Sequence, residues 1–117
     1  MMPAINKEET VEFHRSIRRE THPNEFVRDY HVKTLLMPDK NAWWCSDYNF
    51  TEKKTIPART RKMRDVILAL PGVIYVSVRA YEISVGIAGA FTWDETEVLM
   101  IPVFEKYLDL PDTPAST

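Results

Sequence analysis

Between residues 60 and 108 the hydrophobic pattern changes its period twice, and that succession limits the folds open to this chain. Met63, Val66, Ile67 and Leu70 recur at i, i+3, i+4 and i+7, the stripe of an amphipathic helix buried on one side. Leu70-Pro71-Gly72 breaks it, since proline cannot continue a helix and glycine accepts the backbone of a helix exit. Residues 73–78 are densely β-branched, Arg79-Ala80 is read as the turn, and residues 81–87 return. In the return strand Tyr81, Ile83, Val85 and Ile87 alternate with Glu82, Ser84 and Gly86, which predicts one buried and one wet or closely approached face. Thr92-Trp93-Asp94-Glu95 fits a capping box at the start of a second helix. That helix should bury Val98, Ile101 and Leu108, with Phe104 or Met100, and should kink or divide at Pro102.

Upstream the pattern is thinner. Phe13 and Ile17 are four apart, with Glu8, Glu9 and Glu12 before Arg15, Arg18 and Arg19, so a short N-terminal helix is expected, ending before Pro23. Residues 26–30 are expected as loop or a half-turn of helix. Residues 31–37 are expected as a strand, and Pro38-Asp39-Lys40-Asn41 as a turn into an aromatic strand over residues 42–50. In that hairpin Trp43, Cys45, Asp47 and Asn49 would share one side, and Trp44, Ser46, Tyr48 and Phe50 the other. Pro57 suits a first helical turn. The expected class is α+β: a two-layer sandwich with a mainly antiparallel sheet in β-β-α-β-β-α order and helices on one face. An N-terminal arm (1–25) would precede a single domain (26–110), and a tail disordered by composition (111–117) would follow it.

At 117 residues, 44% hydrophobic and 27% charged, the chain can bury a single core. A net charge of −2 gives no global attraction to nucleic acid or anionic membrane, so such an attraction would need a local patch. One cysteine, Cys45, excludes an intramolecular disulfide. No apolar run approaches the roughly 20 residues that span a bilayer, and the first nine residues lack the apolar core of a secretory signal. A cytoplasmic protein is expected, in the host cytoplasm if the source is viral.

The arrangement of helix, Pro71-Gly72-Val73, Val76, turn, Ile83-Ser84-Val85, spacer, Phe91-Thr92-Trp93 and amphipathic helix resembles the N-terminal domain of Nfu-type iron–sulfur scaffold proteins. The resemblance covers about residues 32–108, with 32–37 and 43–50 standing for the family's first strand and its hairpin partner. The family's cluster-binding Cys-x-x-Cys lies in a separate C-terminal domain and has no counterpart among these residues. The resemblance therefore implies an accessory, partner-contacting domain linked to cluster assembly, not a cluster carrier.

The chemistry-bearing residues are few. His14, His22, His31 and Cys45 fit no metal-ligand spacing, and no metal or cofactor is expected. His31 could face Cys45 across the expected hairpin, but Trp43-Trp44 before it and Ser46-Asp47 after it offer nothing to activate a thiol. Asp94, Glu95 and Glu97 are explained by the dipole at a helix start. No catalytic residue is expected. The strongest candidate surface is the basic run Lys53, Lys54, Arg59, Arg61, Lys62 and Arg64, beside Trp43. Cations beside aromatic faces suit single-stranded nucleic acid, and a basic face also suits an acidic protein partner. The reading is a non-enzymatic adaptor or accessory protein that binds another macromolecule, a protein first. The alternative is a small nucleic-acid-binding module on the basic helix. Large aromatics on both sides of one strand leave a homo-oligomer open as well.

Overall fold

The computed structural model describes residues 10–38, 44–45 and 56–111. In chain order these form β1 (Thr10–His14), β2 (Ile17–Thr21), β3 (Val27–His31), β4 (Trp44–Cys45), α1 (Ala58–Leu68), β5 (Val73–Arg79), β6 (Glu82–Ile87) and α2 (Trp93–Tyr107). The strands make one antiparallel sheet in the order β1-β2-β3-β6-β5-β4. Ile17, Tyr30, Val76, Val78, Ile83 and Val85 form its buried side, and Met63 and Ile67 of α1 join the same core as Met100 and Phe104 of α2. This is the expected two-layer α+β sandwich with its helices on one face. No helix among the described residues is long and apolar enough to cross a membrane.

The unit from α1 to α2 follows its sequence pattern closely. Gly72 adopts φ +86°, and the space where a Cβ would stand lies 2.4 Å from the Phe91 ring, so both backbone and packing demand glycine there. The β5–β6 turn falls one residue later than expected: Arg79 pairs with Glu82, which puts Ala80 and Tyr81 at the tip and leaves Tyr81 exposed. Thr92 and Glu95 close the capping box reciprocally. Thr92 Oγ1 accepts from the Glu95 N–H at 3.2 Å, and Glu95 Oε1 accepts from the Thr92 N–H at 3.1 Å. α2 continues through Pro102 and is not divided. The missing proline N–H deprives the Val98 carbonyl of its helical donor, a loss water can offset because Val98 and Pro102 are both exposed. Val98 was expected inside but is 68% exposed, and Val66 also turns outward, because Met100, Val103 and Phe104 take the buried side of α2 and Met63 and Ile67 that of α1.

Three upstream expectations are overturned. The N-terminal segment is a hairpin, not a helix, and it extends the sheet through β2–β3 pairing. Its two-residue turn, Arg15-Ser16, has φ of 47° and 73°, the left-handed geometry that suits the right-handed twist of paired strands. Neither residue is glycine. Arg15 offsets the cost by donating to the Pro111 carbonyl at 2.6 and 2.9 Å. Phe13 and Ile17 meet the core across the turn, not along a helix, with Phe13 5.4 Å from the Tyr30 ring and 6.4 Å from Phe104.

The second correction concerns residues 26–37: the strand is Val27–His31, and residues 32–38 run irregularly under the β5–β6 tip. Their backbone is tied to that tip, Val32 N–H to the Tyr81 carbonyl at 2.9 Å and Leu36 N–H to the Ala80 carbonyl at 2.7 Å. Third, Trp44 and Cys45 pair with Val78 and Ser77 of β5, so the expected 31–37/42–50 hairpin does not form over these residues. The expectations for Trp43, for residues 46–50, for Lys53 and Lys54, and for the tail after Pro111 lie outside the described residues.

Candidate protein-binding groove

Of the described part of the basic run, Arg59, Arg61 and Lys62 are exposed on α1 and Arg64 is half-buried. Arg59 is tied to Asp109 at 2.9 Å, and Arg61 donates its Nε–H to the Ile56 carbonyl at 3.4 Å. Arg64 folds inward, its side chain only 14% exposed, 3.4 Å from Asp65. Lys62 is exposed. His31 and Cys45 are not brought together: His31 stands in β3 opposite Arg18 and Glu82, and β6 and β5 separate it from β4. His31 is hydrogen-bonded to Glu20 instead.

A different set of residues forms the most organised polar group of the described chain. Glu97 is 7% exposed, on the inner side of α2, and its carboxylate gathers three donors from the sheet. Arg19 Nη1 of β2 reaches Oε1 at 2.8 Å, while Arg28 Nη1 of β3 and the Tyr30 hydroxyl reach Oε2 at 2.8 and 2.7 Å. Glu97 is thus the link between α2 and two strands, not a dipole acid at a helix start. Two guanidiniums share one carboxylate, so the cluster carries a surplus of one positive charge. Charge-assisted bonds of this kind are short and directional, and a buried carboxylate persists only when so satisfied. Burial, and after it the charge of Glu97, pushes the Tyr30 phenol far above its ordinary value, so it stays a neutral donor.

The cluster opens toward a groove of about 490 Å³ at one end of the sheet, where the β2–β3 turn meets the end of β6 and the start of α2. Arg28 forms part of the lining and stacks over Trp93, its guanidinium carbon 4.9 Å from the ring centroid. Trp93 is fixed in turn by its indole N–H, which donates to the Glu25 carbonyl at 2.9 Å. Phe26 and Phe91 flank the groove and are 41% and 38% exposed. Asn24 sets the turn that presents Phe26, its Oδ1 accepting the Phe26 N–H at 2.9 Å. Phe91 is seated by its N–H to the Ala88 carbonyl and by the ring lying over Gly72. The groove therefore has aromatic walls and an arginine held in one orientation.

Sequence reasoning placed Trp93 and Glu97 only as parts of a helix start and missed their partners. A signal was present: Trp93, Glu97, Met100 and Phe104 recur at i, i+4, i+7 and i+11, a core stripe with an acid in it. A core acid requires cations, and Arg19 and Arg28 stand two residues from core positions Ile17 and Tyr30. Comparison with known proteins finds no matching family model, no matching curated protein and no matching solved structure.

Proposed function

We propose that this chain is a non-enzymatic, accessory protein-binding domain whose groove takes an extended segment of a partner bearing an apolar residue next to a carboxylate. The observation that supports it is the groove itself. Two half-exposed phenylalanines flank a tryptophan and an arginine; Arg19 and Arg28 exceed the Glu97 carboxylate by one positive charge, which Glu25 in the same lining offsets. Exposed aromatics of this size gain by being covered, and the Arg28 N–H groups that Glu97 does not engage suit a carboxylate. The resemblance to the Nfu N-terminal domain adds proteins of iron–sulfur cluster assembly as the partners to try first.

A nitrogen–proton correlation titration with acetyl-Phe-Asp-Leu-amide, against its neutral Asn counterpart, tests the reading. The acidic peptide should shift the Trp93 indole and Phe26 signals, the Asn peptide should bind several-fold less tightly, and Phe26→Ser should weaken binding by a similar factor. Equal binding of the two peptides, or no shift at Trp93, overturns it. The alternative, a nucleic-acid module on α1, keeps Lys62 and Arg61 as its exposed cations. It requires single-strand binding that falls steeply with salt and is lost in Arg61→Glu/Lys62→Glu.

A further inference from the structure

The outer side of the helix layer carries an apolar patch that neither the core nor the aromatic groove uses. Val98 is 68% exposed, Leu99 41% and Val66 38%, and Pro102 stands exposed one turn beyond Val98. α1 and α2 run antiparallel: Arg59 at the start of α1 meets Asp109 past the end of α2, and Gly72 past α1 lies under the Phe91 ring before α2. Val66 and Leu99 each fall near the middle of that span, so they stand at about the same level.

The helical period turns them toward one another. Val66 follows Arg59 by two helical turns and shares its flank, the one that faces α2. Leu99 lies roughly a third of a turn around the outer side of α2 from Glu105, the residue that meets His14 of β1. α1 packs on β5, on the other side of the sheet from β1, so Leu99 is turned toward α1. Val66, Leu99, Val98 and Pro102 thus form one strip across both helices. Contiguous exposed apolar surface of this kind gains by being covered.

Charge decides what covers it. Where α1 begins and α2 ends, Arg59, Arg61, Lys62 and Lys106 outnumber Glu105 and Asp109 by two. At the opposite end Asp65, Asp94 and Glu95 outnumber Arg64, which lies against Asp65, again by two. Glu97 stands outside this balance because it is turned into the sheet against Arg19 and Arg28. The face therefore has a cationic end, an apolar middle and an anionic end. A half-turn about an axis lying across the helices sets the cationic end of one copy on the anionic end of another, and apolar strip on apolar strip. Self-complementarity of this kind is what an isologous two-fold contact requires. We propose that the outer side of the helix layer is the contact face of a homodimer, with a second copy of this chain as its occupant. None of these residues but Arg64's neighbour-free groove side is involved in peptide binding: Val66, Val98, Leu99, Lys62 and Asp94 all lie outside the groove lining, so the proposal does not rest on the groove.

Sedimentation equilibrium of the full chain at low ionic strength, from micromolar to millimolar concentration, tests the proposal. A reversible monomer–dimer equilibrium is expected. Val98→Asp, at a position exposed enough to leave the fold intact, should weaken it about tenfold or more. Should Val98→Asp fail to fold by circular dichroism, Leu99→Ser serves in its place. Lys62→Glu and Asp94→Lys should each weaken the dimer several-fold, because like charges then meet across the two-fold axis. An equimolar mixture of these two variants should regain the parent affinity, since each offers the sign that the other needs. A chain that stays monomeric throughout overturns the proposal and leaves the face to a different protein. So does a dimer unchanged by the folded apolar-strip variant, or one in which the mixed charge variants associate no better than either alone.

Discussion

α1 and α2 lie on the same face of the same sheet, but different chemistry holds each of them. α1 has no side-chain cap, no acid in its first turn and no base in its last, and it buries Thr60, Met63 and Ile67. The Thr60 hydroxyl ties it to the core, donating to the Leu36 carbonyl at 2.7 Å. α2 has the reciprocal capping box, acids at its start, Lys106 at its end and the Glu97 cluster inside its buried side. Apolar burial is strong but without direction, whereas bonds to a carboxylate fix rotation and register. The difference teaches that this fold positions α2, the helix that borders the groove, with greater directional control than α1.

Substitutions can break that contrast. The largest effect is expected at α1: Ile67→Ala, at a fully buried position, should cost about 4 kcal/mol through lost burial and a cavity. Chemical denaturation should show this loss with the groove still able to bind its peptide. Glu97→Ala should cost less in stability, about 3 kcal/mol, because Arg19 and Arg28 are about a quarter exposed and recover some hydration. Its signature lies elsewhere. Arg28 loses its fixed orientation over Trp93, so peptide binding should fall in Glu97→Ala and persist in Ile67→Ala, and the reverse pattern would erase the distinction between the helices.

The smallest effect sharpens the comparison through pH. Tyr30→Phe should cost about 1 kcal/mol at neutral pH, since Glu97 keeps both guanidiniums. The native phenol is held above its ordinary value, while in the unfolded chain it titrates near pH 10. The stabilisation linked to Tyr30 is therefore complete below about pH 10 and declines above it, by up to about 1.4 kcal/mol per pH unit. Denaturation across that range should find a shallower alkaline loss in Tyr30→Phe than in the parent chain. Parallel curves would show that Tyr30 does not carry the linkage.

What could be read in advance follows the same divide between local and distant interactions. The helix, Pro71-Gly72, hairpin and Thr92 capping box are each encoded within a few consecutive residues, and each stands close to where its pattern put it. The N-terminal hairpin was hidden because Arg15-Ser16 turns without the Asn-Gly or Asp-Gly that normally announces such geometry, and because Phe13 and Ile17 have helical spacing. β3 was hidden because Arg28 and Tyr30 occupy the inner face as partners of Glu97, so the strand lacks the usual alternation of apolar and polar residues. The groove joins Phe26 to Phe91 and Trp93, residues far apart in the chain, and only the sheet order brings them together.

That sheet order also bears on how the chain reaches its fold. β1, β2 and β3 form a meander of short connections, and β5 and β6 form a tight hairpin, so both can pair early. The seam between them, β3 against β6, joins His31 to Glu82 and closes a loop of roughly fifty residues. Loop-closure entropy must be met before that seam returns any stabilisation, so it should form more slowly than either hairpin. Until it closes, the facing edges of β3 and β6 are open to strands of other chains, and the intended partner of each lies half the molecule away.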